Sequence, residues 1–91
     1  MYEIVKKILD TSREKGVDVL VAKDMVINDG ESYEVVTDAY KSIISKYYDV
    51  VTFFRRNDDN ASIEKICKLH DEGKNFELQV FIKEVRDAND L

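Results

Sequence analysis

The sequence predicts an α+β fold, a small two-layer sandwich in which three helices cover a three-stranded sheet. Three segments carry apolar residues at helical spacing, three others are rich in β-branched and aromatic residues, and the two kinds alternate along the chain. Because 91 residues suit one small core, we expect a single domain over residues 1–91, with residues 86–91 as a polar, frayed tail.

The first third of the chain predicts a helix and then a strand. The helix covers residues 2–15, where these apolar residues recur at helical spacing: Ile4, Val5, Ile8 and Leu9. Gly16 stands where a glycine commonly ends a helix. Residues 17–22 alternate and are rich in valine, which is typical of a strand. Residues 25–27 either continue this strand or form a short partner.

The middle third predicts a turn, a second helix and a second strand. Residues 28–30 form the turn, and Asn28 or Asp29 is suited to cap the helix over residues 31–46. One face of that helix is apolar and rich in tyrosine: Tyr33, Val36, Tyr40, Ile43, Ile44 and Tyr47. Residues 49–55 then combine valines with two phenylalanines, as in a strand that is buried on both faces.

The last third repeats the alternation. Residues 57–60 form a polar turn with helix-capping side chains, and a third helix covers residues 61–72 and ends at Gly73. Its inward stripe has four members: Ile63, Ile66, Cys67 and His70. Residues 75–85 alternate between apolar and polar side chains, which predicts a half-exposed third strand.

A three-stranded sheet leaves two edges and part of one face uncovered. Phe81 and Val85 are expected on that exposed apolar face, and Tyr48 lies off the stripe of the second helix. We therefore name these three residues as candidate interface residues. Pairing with a second copy would cover the face, so the sequence predicts a homodimer.

The charge of the chain is acidic and local. Nineteen acids against fourteen bases give a net charge of −5, which disfavours direct binding to nucleic acid or to an anionic membrane. Between residues 24 and 40 there are five acids and no base. This window therefore equals the whole net charge, and its acids are Asp24, Asp29, Glu31, Glu34 and Asp38.

Three of these acids fall on one face of the predicted second helix. Glu31, Glu34 and Asp38 are spaced i, i+3 and i+7, which spreads them over roughly 10.5 Å at the helical rise of about 1.5 Å per residue. One interpretation is an ordinary solvated face, because the helix dipole favours acids in the first turn. The other is a surface that presents negative charge to a basic site on another protein.

The acidic window, together with Asp58 and Asp59, gives the chain a resemblance to the small phage-encoded acidic inhibitors that imitate DNA and block restriction enzymes. The resemblance covers about a quarter of the chain and rests on size, acidity and a single domain, not on a family motif. It implies a noncatalytic interaction protein that occupies the nucleic-acid-binding surface of a target. The implied contact residues are Asp24, Asp29, Glu31, Glu34, Asp38, Asp58 and Asp59.

Two other function classes stay open at this point. A dimeric adaptor would bind its partner through the apolar sheet face. A metal-dependent nuclease would use an acid followed by an acid-x-lysine triplet; Glu72-Gly73-Lys74 has these residue types after Asp58 and Asp59, but a helix end and a glycine turn are expected there.

The remaining polar residues predict neither a cofactor nor a metal. Cys67 and His70 lie three residues apart and are only two ligands, too few for a zinc site, so a core cysteine beside a boundary histidine is the simpler interpretation. A single cysteine cannot form an internal disulfide, and the first residues carry no apolar signal segment. Both features predict a cytoplasmic protein.

Overall fold

The computed structural model describes residues 1–91 and is entirely helical, with six α-helices and no strand. The α+β prediction is therefore wrong. The helices are α1 (Tyr2–Lys15), α2 (Val19–Asn28), α3 (Tyr33–Ala39), α4 (Tyr48–Arg56), α5 (Asn60–Asp71) and α6 (Asn75–Asn89). A π-helical segment, Tyr40–Ser45, continues α3.

The chain divides into two compact units of nearly equal length. Unit 1 covers Met1–Lys46 and holds α1, α2, α3 and the π-helical segment, and unit 2 covers Tyr47–Leu91 and holds α4, α5 and α6. Each unit is thus a three-helix arrangement. The expectation of one domain over the whole chain stays a prediction.

Helix α1 is the element that the sequence predicts best. It runs over the expected residues and ends at Gly16, whose φ of 64° is the left-handed conformation that glycine adopts without strain. Its buried side chains include Val5, Ile8 and Leu9, and it packs against α2 and α3. The buried hydroxyl of Ser12 donates a hydrogen bond to the carbonyl oxygen of Val17, so this polar group is satisfied.

The first predicted strand is wrong, since residues 19–28 form α2. The carboxylate of Asp18 accepts a hydrogen bond from the Val21 amide at 3.0 Å, which starts the helix. The buried positions follow helical spacing: Val19, Ala22 and Val26. The valine-rich pattern that favours a strand arises because exposed apolar residues, Leu20 among them, stand between the buried ones. Residues 25–27 belong to the same helix.

The structure confirms a helix in the region of the second predicted helix, but the boundaries of that helix differ from the prediction. It begins at Tyr33 and is capped by the Ser32 hydroxyl, which accepts from the Val35 amide, rather than by Asn28 or Asp29. Most of the predicted apolar face is buried: Val36, Ile43, Ile44 and Tyr47. Tyr33 is instead 65% exposed. The Lys23 ammonium lies 5.3 Å from the centroid of the Tyr40 ring, within cation–π range.

Unit 2 begins with a second error, because residues 48–56 form α4 rather than a strand. The β-branched pair Val50 and Val51 is buried one helical turn before Phe54, so tertiary burial overrides the strand propensity of the segment. The next prediction is confirmed: α5 covers Asn60–Asp71 with Asp59 as its cap, and Gly73 follows with a φ of 69°.

The third predicted strand is also helical, and its alternation has a specific origin. Leu78, Ile82 and Val85 are buried at i, i+4 and i+7 of α6. Phe76 and Val80 form a second, exposed stripe on the same helix. Two helical stripes offset by two residues read as alternation in the sequence. Helix α6 continues to Asn89, so residues 86–89 of the expected tail form its last turn.

Candidate functional site

The acidic window does not form the predicted stripe on one helix. Glu31 precedes Ser32, the cap of α3, so it lies outside the helix that carries Glu34 and Asp38. Asp24 belongs to α2, and Asp29 is the residue that follows that helix. The five acids of the window are thus distributed over two helices and the loop between them.

Several acids of the window already have partners within unit 1. The Lys7 ammonium donates to Glu31 Oε1 at 2.7 Å, and Lys23 Nζ lies 3.3 Å from Asp24 Oδ1. Asp38 accepts a hydrogen bond from the Ser42 hydroxyl at 3.0 Å. Because Lys7 is 24 residues from Glu31, a window along the sequence cannot show this compensation.

The two acids of the later turn have different roles. The Asp59 carboxylate accepts from both the amide and the hydroxyl of Ser62, so it caps α5. Asp58 is exposed and adopts a φ of 54°, a left-handed conformation that is uncommon for a side chain other than glycine. The capping of α5 therefore explains the presence of Asp59, one of these two predicted contact residues, without a partner protein.

The net charge is also divided between the two units. Unit 1 contains nine acids and seven bases, for a net charge of −2, and unit 2 contains ten acids and seven bases, for −3. The window from Asp24 to Asp38 is uniformly acidic along the sequence. In space, lysines of the same unit reduce that charge at Glu31 and Asp24.

The three predicted interface residues fall in three different environments. Tyr48 lies in the first turn of α4 and is 52% exposed, whereas Val85 is buried. Phe81 is half-buried and stacks on Phe54 with a centroid distance of 6.1 Å. The apolar sheet face that was expected to unite Phe81 and Val85 does not exist, because the strand that would carry them is α6.

An apolar groove lies between α5 and α6 on the surface of unit 2. It has a volume of about 250 Å³. Leu69 of α5 lines one side, and Phe76, Val80 and Phe81 of α6 line the other. Phe76 is 81% exposed, more than any other large apolar side chain of the protein, and Val80 is 40% exposed.

Charged side chains border this apolar groove. Lys65 of α5 and Glu77 and Glu84 of α6 complete its lining. The Lys65 ammonium lies 4.2 Å from the centroid of the Phe81 ring, a cation–π contact that places its charge over the aromatic face. We refer to the groove with these three charged residues as the α5–α6 groove.

Of the lining residues, only Phe81 was among the sequence-predicted site residues. In a strand over residues 75–85, the alternation would place Phe76 and Val80 in one row with Leu78. A helical reading separates them, because Phe76 and Val80 are four residues apart on one face. That spacing is a sequence signal for the α6 side of the groove, although not for the groove itself.

The residue sets considered for catalysis are not arranged for it. Burial, with a smaller contribution from the carboxylates of Asp71 and Glu64, raises the pKa of the Cys67 thiol to about 12, so this cysteine is not poised as a thiolate. His70 Nδ1 lies 3.5 Å from Asp71 Oδ1 without hydrogen-bond geometry. No group of three or more His, Cys, Asp or Glu side chains is placed to hold a metal ion.

The acid-x-lysine triplet occupies the helix end that the sequence predicts. Glu72 is the C-terminal cap of α5, and its carboxylate lies 3.3 Å from the Lys74 ammonium across Gly73. The acid and the lysine of this triplet pair with each other in a turn. The reaction would instead need both side chains fixed on a rigid strand.

Comparison with known proteins adds no relative. No protein-family model matches the chain, and neither a curated protein nor a solved structure is significantly similar to it. None of the helices combines the length and the apolar character required to cross a membrane.

Proposed function

We propose that the chain is a noncatalytic interaction protein whose binding surface is the α5–α6 groove. The observation that carries this proposal is the exposure of Phe76 beside the other apolar side chains of the groove. Single exposed apolar residues are common on protein surfaces, whereas an exposed phenylalanine at the mouth of an apolar groove is typical of a docking site.

The energetics of association support this choice of surface. Burial of apolar area is worth roughly 25 cal/mol per Å², and a phenylalanine that becomes buried in a partner supplies one of the largest single contributions. Phe76 lies in the first turn of α6, where it is 81% exposed in the isolated chain. Its side chain is therefore available for a partner without any rearrangement of the buried core.

The proposal is tested by affinity capture with three forms of the chain. The first is the unaltered protein, the second is Phe76→Asp, and the third is Tyr33→Asp, which changes an exposed aromatic residue in unit 1. We expect the same partner to be retained by the unaltered protein and by Tyr33→Asp, and to be lost with Phe76→Asp. Circular dichroism checks that both variants are folded. Retention of the partner by Phe76→Asp contradicts the proposal.

A second candidate function is inhibition by DNA mimicry through the acidic window of unit 1. One observation favours it: Asp29 and Glu34 are exposed and form no ion pair within the chain. Such a surface would engage a basic nucleic-acid-binding site on a target protein, and binding would weaken as salt is added.

The test of this second candidate is a variant with Asp29→Asn and Glu34→Gln. Under the mimicry proposal, this variant loses binding to a basic DNA-binding protein at low salt, whereas Phe76→Asp does not. Under the groove proposal, the two variants give the opposite result. Parallel binding measurements on both variants therefore separate the two functions.

A further inference from the structure

The charges of the α5–α6 groove and the spacing of its residues indicate which kind of partner it binds. From its charge and its shape, we infer that it binds an amphipathic α-helix whose apolar stripe is flanked by arginine or lysine residues two helical turns apart. This inference rests on the proposed function, because it names the partner of the same groove.

Two carboxylates lie on the border of the groove. Glu77 and Glu84 are seven residues apart on α6, so they share one face and lie roughly 10.5 Å apart along the helix axis. Both are exposed, and neither forms a salt bridge within the chain. The border thus presents two negative charges at a spacing that corresponds to two turns of a facing helix.

Both cations of α6 are paired with other acids of unit 2. Lys83 pairs with Asp87 at 2.9 Å, and Arg86 pairs with Asp49 at 2.9 Å. Lys65, the one cation that lines the groove, lies over the Phe81 ring. Cations of a partner are therefore the natural counter-charges for Glu77 and Glu84.

A helix fits this groove better than an extended segment does. An extended peptide gains backbone hydrogen bonds when it adds to a sheet edge, and this protein has no sheet edge to offer. A helix satisfies its own backbone and presents apolar side chains at i, i+3 or i+4, and i+7. That spacing suits an acceptor groove whose exposed members, Phe76 and Val80, are themselves four residues apart.

The charge of the groove also disfavours a second copy of this chain as the occupant. Each copy would contribute two glutamates and one lysine, so two facing grooves would hold four carboxylates and two ammonium groups. Like charges that face each other across an interface oppose association. A basic helix removes that repulsion, whereas self-association retains it.

The test uses two synthetic helical peptides of about 14 residues, roughly 21 Å long, each with one leucine stripe. The basic peptide carries two arginines seven residues apart beside the stripe, and the neutral peptide carries glutamine at those positions. Fluorescence anisotropy of each labelled peptide measures its affinity. We expect the basic peptide to bind the unaltered protein about fivefold more tightly at low salt, as two exposed ion pairs allow.

Two double variants provide a matched control, because each removes two negative charges. With Glu77→Gln and Glu84→Gln, we expect the preference for the basic peptide to disappear. With Asp29→Asn and Glu34→Gln, which alter exposed acids of unit 1, we expect it to persist. Loss of the preference in the second variant as well would show a general charge effect and would overturn the inference.

The remaining outcomes separate this inference from the proposed function. If both peptides bind equally and both are lost with Phe76→Asp, the groove is a docking site but its occupant is not basic. If neither peptide binds, or if Phe76→Asp leaves binding unchanged, the groove proposal fails as well. Sedimentation of the chain alone checks for a dimer; a dimer that either peptide dissociates would make a second copy the occupant and overturn the inference.

Discussion

The two units have similar interiors and different surfaces. Both consist of three helices with buried isoleucines, and both carry a small negative charge. In unit 1, two acids of the acidic window are paired with lysines, and Tyr33 is the most exposed large apolar residue. In unit 2, exposed apolar side chains line one groove that also has two unpaired glutamates on its border.

This difference shows how a cluster in the sequence and a cluster in space can be separate features. The acidic window is continuous along the chain, but Lys7 and Lys23 neutralise part of it after folding. The groove is assembled from residues of two helices and has no comparable signature in the sequence. A charge count locates the first feature, whereas only the packing of α5 against α6 reveals the second.

The largest expected effect tests whether the interiors of the two units are equivalent. Ile8 of unit 1 and Ile82 of unit 2 are both essentially inaccessible to solvent. Truncation of either to alanine leaves a cavity, so each variant should lose about 2–5 kcal/mol of unfolding free energy. Urea denaturation measures both. A cost below about 1 kcal/mol for only one of them would show that the interiors differ, contrary to the comparison.

The next effect tests the difference at the surface. Phe76→Asp should weaken binding of the captured partner by about 30–1000-fold, which corresponds to the roughly 2–4 kcal/mol of a central interface residue. Tyr33→Asp should change that affinity less than about twofold. Because both side chains are exposed, neither variant should change the unfolding free energy by more than about 0.5 kcal/mol. Equal losses of affinity would remove the distinction between the two surfaces.

A smaller effect concerns the bidentate ion pair of unit 2. Arg86 donates to both Asp49 carboxylate oxygens, at 2.9 and 3.2 Å, and this hydrogen bonding holds the pKa of Asp49 below its ordinary value. Both side chains are about 40% exposed, so solvent screening limits the contribution. Asp49→Asn should cost about 0.5–1 kcal/mol at neutral pH.

The sign of the pH dependence follows from that lowered pKa. The stabilisation is fully present above the unfolded pKa of about 3.9 and is lost as the pH falls through the lower pKa of the folded state. The stability difference between the unaltered protein and Asp49→Asn should therefore shrink below about pH 4. Asp87→Asn, which removes the more exposed pair with Lys83, is the control and should cost less. If the stability difference between the unaltered protein and Asp49→Asn grows as the pH falls, the lowered pKa of Asp49 is contradicted.

The smallest effect concerns the ion pair that bridges the acidic window to α1. Lys7 and Glu31 meet through a single contact at 2.7 Å, with the lysine side chain 53% exposed. Lys7→Met should therefore cost less than about 0.5 kcal/mol, and the cost should fall further as salt is added. Thermal unfolding at two salt concentrations measures it. If Lys7→Met costs more unfolding free energy than Asp49→Asn does, the expected order of these two ion pairs is wrong.

Local signals in the sequence predict some elements well. Gly16 and Gly73 correctly end α1 and α5, and the cap of α5, Asp59, comes from the polar turn predicted at residues 57–60. These features depend on a few neighbouring residues, so a single sequence contains them. The apolar stripes of α1 and α5 are equally local, since their spacing matches one helical face.

The three strand predictions failed for a common physical reason. Valine-rich and alternating segments favour strands on average, but burial decides between helix and strand when both can present an apolar face. In α2 and α6, exposed apolar residues alternate with buried ones, so the helical period is masked. The Asp18 cap of α2 was the local signal that favoured the helix. Without the correct elements, neither the groove nor the Lys7–Glu31 pair could be derived.

The π-helical segment has a consequence for changes in chain length. In a π-helix the hydrogen bonds join residues five apart, so each ring encloses one residue more than in an α-helix. Deletion of one residue within Tyr40–Ser45 could therefore be absorbed by conversion of that turn to α-helix, with the flanking residues still on their original faces. An insertion or deletion elsewhere in a helix rotates everything beyond it by about 100°, one residue's share of a turn. Among positions inside the helices, this segment is thus the one where loss of a single residue is expected to disturb the packing least.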